Sequence, residues 1–446
     1  TGDHPALEAA AARGPVLGAF VGDPALLAPA GPARVAHLAA SLRALDSSIG
    51  GRLVVRTGPP GEVLSDLAGE VGAHRVVATA DFAPAGRARD EGVARELRAR
   101  GVELELLDSP YAVAPGTVRT RAGEPCRVFS AFWRSWAPLE KGRARPAPAV
   151  DWCAARGEDP TGLVALAGSS RPDYFADLPD APPAPAPAGE AAAHAALEAF
   201  RARAERYAET RDVPGLEGTS RLSPHLKVGA IHPRAVLEAV GDASGAFVAE
   251  VAWREFYADV LFHDPASARA PWRGTPRALR VDRDGLARER FVAWARGETG
   301  YPLVDAGMRQ LLAEGWMHNR VRMVCASFLV KHLHLDWRWG ARWFLWRLSD
   351  GDLASNQHGW QWVAGTGTDA APFHRVFNPV RQAERFDPEG RYVRRHVPEL
   401  AHLEAPDCLR PVGGGLLAPG YPAPMVELDV ERREALARLA EARGRA

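Results

Sequence analysis

The chain has 446 residues, with 55 basic and 55 acidic side chains, so it is long enough for two cores and carries no overall field that demands a polyanionic partner. Any nucleic-acid surface must be local. Cys126, Cys153, Cys325 and Cys408 show no Cys-x-x-Cys or Cys/His spacing, which argues against a disulfide framework and a metal site and fits a reducing cytoplasm. With no run of about 18 apolar residues and no signal-peptide pattern, neither a membrane span nor export is expected.

In chain order, Thr1-Gly-Asp-His-Pro-Ala-Leu7 reads as the start of a helix whose preceding strand is missing, where a doubly wound sheet would want one near its centre. Short apolar runs follow at 16–21, 52–55, 75–79 and 102–107, separated by Ala/Arg-rich helical stretches. That spacing predicts βαβ units and a parallel sheet. Periodicity then fails and proline accumulates, ending in the run 180–189, which is a linker composition. Beyond it the pattern is helical: one amphipathic run over 191–210, an N-cap at Ser223 before Pro224, and a helix opened by Pro302. The expected organisation is an α/β domain over 1–115, a linker over 116–189 and an all-helical domain over 190–446.

Four blocks of the helical half carry chemistry. In Gly218-Thr-Ser-Arg-Leu-Ser223, small hydroxyls precede a helix start, a geometry that suits a phosphate. In the second block Glu250, Trp253 and Tyr257 share a helical face, so a carboxyl can bond the edge of a planar ring beside an indole that stacks on it. The third places Trp316, Asn319 and Met323 on one stripe, with Arg320 and Arg322 on neighbouring faces, free to serve phosphates. The fourth, Asp350 to Trp362, gathers Asp350, Asp352, Asn356, Trp360 and Trp362 in one loop and helix start. Eight of the thirteen tryptophans lie from Trp294 through Trp362, and simple cores are filled with aliphatic residues instead, so the segment reads as a site for a flat ligand. Gly365-Thr-Gly367 is not a dinucleotide fingerprint, and His332 and His334, two apart on different sides of a helix, are not expected to bind metal.

Together and in this order, the segments TSRLS, WREFY, GYPxVDAxMRQL, GWMHNRxRM, DGDLAxN, WQW and GTGTDAAP resemble the photolyase/cryptochrome family, specifically its class I cyclobutane pyrimidine dimer DNA photolyases, over residues 207–400. The α/β half is similar more loosely, through DHPAL at Asp3 to Leu7 and RARD at Arg87 to Asp90. The resemblance implies a U-shaped FAD in the helical domain and a lesion flipped out of the duplex, since stacked bases cannot meet a cofactor. It implies that Tyr207, Thr219, Ser220, Leu222 and Ser223 hold the FAD phosphates and ribityl chain, with Arg254 and Asn319 close by. Asp350 and Asp352 would bind the flavin region, Arg322 would pair with Asp350, and Asn356 would face flavin N5. Trp253 and Trp362 would sandwich the dimer, Glu250 would bond its polar edge, Met323 would pack on it, and Arg320 and Arg375 would meet DNA phosphates.

In the family a photoexcited reduced flavin lends the dimer an electron and regains it, with no net redox change. Flavin photoreduction there uses three tryptophans. Trp360 and Trp337 match the first two, whereas the third falls near Asp284, so an exit through Trp339, Trp343 or Trp294 is expected instead. For the antenna, Ala83 replaces the glutamate of folate-binding relatives and Asp81 matches the aspartate of deazaflavin-binding ones, which favours 8-hydroxy-5-deazaflavin over methenyltetrahydrofolate. The expected protein is a monomer acting on UV-damaged DNA. The rival from another class is a blue-light signalling cryptochrome, and a (6-4) photolyase is disfavoured by His318-Asn319-Arg320.

Overall fold

All four expected strands form: β1 (Gly18–Gly22), β2 (Leu53–Thr57), β3 (Arg75–Thr79) and β4 (Glu103–Leu107). The computed structural model describes residues 1–180, 186–273, 279–368, 375–410 and 417–444. Pairing is parallel, with Gly18 opposite Leu53 and Arg75 opposite Glu103. Among the described residues the strands make two two-stranded sheets and not one continuous sheet. Parallel strands are normally buried on both faces. Here only Gly22, Val54 and Val55 are buried, and no residue of β3 or β4 is. The helix expected at the start of the chain spans Pro5–Ala11 and packs on β3 and β4.

Two units divide the chain. The first comprises Thr1–Arg171, Pro185–Glu205 and Ser220–Pro265; the second comprises Pro172–Ala184, Arg206–Thr219 and Ala266–Ala446. This division cuts across the boundaries expected at 115 and 189. Much of the expected linker is built into the first unit: Val16 bridges Trp152, the Cys153 N–H donates to Val16 O at 2.8 Å, and the Glu158 N–H donates to Val55 O at 2.7 Å. The returning chain thus satisfies strand backbone that would otherwise lie open. A Cβ at Gly18 would sit 3.1 Å from the Trp152 ring, so glycine permits that approach. The prolines of 181–185 lie outside the described residues.

The run expected as one helix over 191–210 breaks. A helix at Glu190–Arg201 gives way to a 3-10 turn at Ala204–Arg206 and a short helix at Tyr207–Thr210, because the chain leaves the first unit for the second at residue 205. Ser223 is the first residue of the Ser223–Val228 helix, with Leu222 in the cap position, a shift of one from expectation.

In the second unit, helices Pro302–Glu314, Asn319–Lys331, Trp337–Arg347 and Leu353–Ala364 enclose a core that includes Trp294, Met308, Phe328, Trp343 and Tyr392. A wholly buried carboxylate organises one end of it. Asp305 accepts from Thr299 N (2.7 Å), Thr299 Oγ1 (2.6 Å), Gly300 N (3.0 Å) and Tyr421 OH (2.6 Å). His332 and His334, expected on a helix, follow its end at Lys331, and His334 has φ 54°. No helix among the described residues is long and apolar enough to cross a membrane.

His332 is buried and stacks on Phe328 at 5.3 Å and 20°. Burial, with His334 and Lys331 nearby, lowers its pKa from 6.5 to about 4. An imidazole that takes a proton only after unfolding favours the unfolded chain as pH falls, so its contribution is intact above about pH 6.5 and lost through about pH 4. Lowering the pH from about 7 to about 5 should therefore cost about 2 kcal/mol through this residue. His332→Phe, which keeps the stack, should reduce the shift in urea midpoint between those two pH values; an unchanged shift would refute the assignment.

Candidate functional site

In the first unit the expected phosphate loop, from Ser220 onward, makes a tight turn. Arg221 takes φ 52°, Ser220 Oγ accepts from Leu222 N at 3.3 Å, Leu222 is buried and Ser223 is exposed. Glu250, Trp253 and Arg254 all lie on the Gly245–His263 helix, which Ser244 caps by accepting from Phe247 N at 3.3 Å. Arg254 donates to Pro110 O (3.2 Å) and Leu226 O (3.5 Å), with its guanidinium 4.5 Å from the Tyr111 ring. Trp253 and Tyr257 are in ring contact at 5.3 Å, as the i, i+4 spacing predicts. Trp253 also stacks on Phe129 at 3.8 Å and 7°. Sequence reasoning missed Phe129 because it fell in the expected linker. The signal was the amphipathic stretch Phe129–Trp136, which forms a helix.

In the second unit, Arg322 Nη2 pairs with Asp350 Oδ2 at 2.8 Å, as expected, and Arg322 Nε donates to Met317 O at 2.7 Å. Asp352 caps the Leu353–Ala364 helix by accepting from Ser355 N at 2.9 Å. Asn356 Nδ2 donates to Ala341 O and Gln357 Oε1, both at 3.0 Å. With the amide nitrogen engaged, the polar atom that remains on this side chain is an acceptor oxygen. Tyr207 is buried with Arg211 5.6 Å from its ring, and Thr219 is half-buried.

The stripe expected from Trp316 to Met323 is shorter than anticipated. Trp316 lies in the turn before the helix, because the helix begins at Asn319; only Asn319, which is exposed, and half-buried Met323 share its face. Arg320 is clamped: its Nη2 and Nε donate to Asp212 Oδ1 at 2.9 and 3.1 Å, and its guanidinium lies 4.5 Å from the Phe386 ring. Arg375 is exposed, its guanidinium 5.8 Å from the Trp362 ring, and its carbonyl accepts from Lys331 Nζ. Residues Asp369 to Pro372 of the GTGTDAAP segment lie outside the described residues.

Trp360 is buried because Gly340 makes room for it: a Cβ there would meet the indole at 2.1 Å. From Trp360 the rings run to Trp294 (6.1 Å), then Phe291 (5.8 Å), then half-exposed Trp339 (5.5 Å). Trp343 is 0% exposed and packs on Phe175, which removes it as a surface exit. Trp337 is buried at the start of its helix. Asp284, at the expected third position, caps the Gly285–Arg296 helix by accepting from Ala287 N at 2.8 Å. At the expected antenna position, Asp81 Oδ1 accepts from Ala83 N at 2.9 Å and Asp81 Oδ2 lies 3.5 Å from Arg89. Among the described residues no cluster of His, Cys, Asp and Glu has the geometry to hold a metal ion.

The chain matches known proteins along nearly its whole length. A family model for the FAD binding domain of DNA photolyase matches residues 247–441, and one for DNA photolyase matches residues 1–151. The chain is 41% identical to the deoxyribodipyrimidine photo-lyase of Halobacterium salinarum, over 97% of this chain and 93% of that one. A class III photolyase from Agrobacterium tumefaciens superposes with TM-score 0.89 at 37% identity, covering 99% of this chain and 95% of that one. A cryptochrome from Synechocystis superposes with TM-score 0.85 at 25% identity, covering 98% and 96%.

In the Arg322–Asp350 pair the carboxylate is the more buried partner. Asp350→Ala would strand a guanidinium whose side chain is only 25% exposed. A lost partner for a buried charge costs about 3–5 kcal/mol, and the residual exposure lowers the expected loss to about 2–3 kcal/mol. Urea unfolding followed by tryptophan fluorescence should read this loss; an unshifted midpoint would show that the pair carries no net stability.

Proposed function

We infer the function from one premise: the chain belongs to the DNA photolyase family, and on that premise it is a light-driven DNA-repair enzyme, a deoxyribodipyrimidine photo-lyase that binds FAD. The observation that carries this reading is identity of 41% along nearly the whole of a photo-lyase. FAD fits the residues present. Asn356, its Nδ2 already donating to Ala341 O, offers an acceptor oxygen suited to the N5–H of a reduced flavin without adding a carboxylate charge. Asp350 and Asp352, with Arg322, would hold the flavin region; Tyr207, Thr219, Ser220, Leu222 and Ser223 would hold its phosphates and ribityl chain, with Arg254 and Asn319 beside them.

When bound, reduced FAD supplies, on absorbing light, the electron that opens the cyclobutane ring and is afterwards returned. The chain's own residues bind and orient. Trp253 and Trp362 would each offer an indole face to the extruded dimer, Glu250 would bond its carbonyl and N–H edge, and Met323 would pack against it. For the DNA backbone we favour Arg375 over Arg320, because Asp212 already neutralises the latter. For photoreduction we favour exit from Trp360 through Trp294 and Phe291 to Trp339 as a branch beside Trp337, supported by ring spacings of 5.5–6.1 Å.

Two finer readings follow. We favour class I on the dimer-repair motifs, with class III as the alternative that the likeness to the Agrobacterium enzyme offers. For an antenna we favour 8-hydroxy-5-deazaflavin over methenyltetrahydrofolate, since Ala83 has no carboxylate for a folate. The same fold in a cryptochrome makes light signalling without repair the second reading.

Irradiating the reduced, FAD-loaded protein with a thymine-dimer oligonucleotide should restore thymine absorbance; a yellow protein that leaves the dimer intact would favour signalling. Trp253→Ala should weaken dimer binding by about 1–3 kcal/mol, the worth of one base–aromatic stack. Trp339→Phe should slow thiol-dependent photoreduction of oxidised flavin and Trp343→Phe should not, read as loss of flavin absorbance under blue light. Equal rates in both variants would discard the proposed branch.

A further inference from the structure

Trp253 does not stand alone on its helix. Phe129 lies parallel to it at 3.8 Å and 7°, far closer to face-to-face than the offset or edge-on arrangements in which aromatic pairs gain most. Such a sandwich has to be imposed by its surroundings. Phe256 supplies part of the constraint, meeting Phe129 edge-on at 6.0 Å and Trp253 edge-on at 5.7 Å. The rest comes from the Phe129–Trp136 helix, whose residues separate into two faces at i, i+4 spacing. Phe132 and Trp136, each 1% exposed, form the anchoring face. Phe132 meets Phe256 at 5.3 Å, and Trp136 Nε1 donates to the buried carboxylate of Glu255 at 2.6 Å. Phe129 and Trp133 form the other face, half-buried and 6.3 Å apart.

We propose that Phe129 is a positioning residue for lesion recognition: a fixed aromatic wall that occupies one face of Trp253 and sets the plane of its indole, so that the opposite face meets a flipped-out pyrimidine dimer already aligned. The proposal rests on the reading of Trp253 as the residue that stacks on the dimer. It treats Phe129 as fixed, because its helix is held through Phe132 and Trp136 and its ring is packed between Trp253 and Phe256. The alternative arrangement, in which Phe129 fills the place of a base and must leave before the lesion enters, predicts the opposite sign for its removal. A pre-set indole loses less rotamer freedom on binding, so the gain falls on affinity for the lesion and not on attraction to DNA in general.

The test compares dark binding of a thymine-dimer oligonucleotide and its undamaged counterpart by the whole FAD-loaded chain and five variants. Phe129→Ala and Phe129→Leu should bind the dimer about three- to tenfold more weakly, the range of an aromatic pair. Their affinity for undamaged DNA and their flavin content should be unchanged. Phe129→Tyr should restore dimer affinity, which a role in mere space-filling would not require, since leucine fills much of the same volume. Adding Phe129→Ala to Trp253→Ala should cost little beyond Trp253→Ala, because the wall acts only through the indole. Dimer affinity in Phe129→Leu equal to or above that of the parent overturns the proposal, as does full additivity in the double variant. If Trp253→Ala itself binds the dimer normally, the stacking role of Trp253 fails first, and the two failures are told apart by that single variant. Should Phe129→Ala not fold, the leucine and tyrosine variants still decide the outcome.

Discussion

A carboxylate with no access to water ties together the part of the first unit around Trp253. Glu255 sits two residues after Trp253 and accepts from Ala112 N at 2.6 Å, Val113 N at 3.1 Å and Trp136 Nε1 at 2.6 Å. Burial drives its pKa up, and the three N–H donors oppose that shift. The balance is typical of a buried polar group, costly to desolvate and costlier still to leave half-satisfied. From this one side chain follow the path of the chain at 112–113, the seat of the Phe129–Trp136 helix and, through that helix, the setting of Trp253. Asp259, one turn further on, repeats the device by accepting from Gly116 N at 2.7 Å.

The second unit uses the same physics with different partners. Asp305 gathers two backbone N–H groups and two hydroxyls, and Asp350 takes a guanidinium. Asp305 fixes the turn from which the Pro302–Glu314 helix starts, and Asp352 caps the start of the helix that carries Asn356. Asn356 fits this scheme. Its nitrogen is bound to a carbonyl of the neighbouring helix, which orients the amide and decides which atom it presents. A site assembled in this way is ordered before any ligand arrives, which lowers the entropy lost on binding.

Much of this was legible in the sequence because local patterns report local structure. The four strands appear where short apolar runs alternate with helical stretches, Pro302 opens its helix, and the Arg322–Asp350 pair appears where motif resemblance put it. What escaped was set by distant partners. Nothing near residue 205 announces that the chain changes units there, so an unbroken helix was expected across it. Trp316 shares helical spacing with Asn319, yet spacing cannot say that the helix begins only at Asn319. Phe129 was hidden for a related reason: a proline-rich neighbourhood looks like linker, and only the packing of Phe132 and Trp136 gives the short amphipathic stretch a surface to fold against.

Balanced overall charge shapes the DNA-binding question as well. With 55 cations against 55 anions, a guanidinium can serve phosphate only if no carboxylate has claimed it, so the partner of each arginine matters more than its position in the sequence. Arg320 and Arg375 illustrate the two outcomes. Arg320 donates twice to Asp212 Oδ1, and a phosphate would have to displace that carboxylate before gaining anything. Arg375 lies near the Trp362 indole, a partner that orients the cation without neutralising it, and Lys331 binds its carbonyl, not its charge. Among the described residues no carboxylate pairs with Arg375, so its charge, unlike that of Arg320, needs no displacement before it meets an anion. The salt dependence of binding should then arise from residues of the second kind.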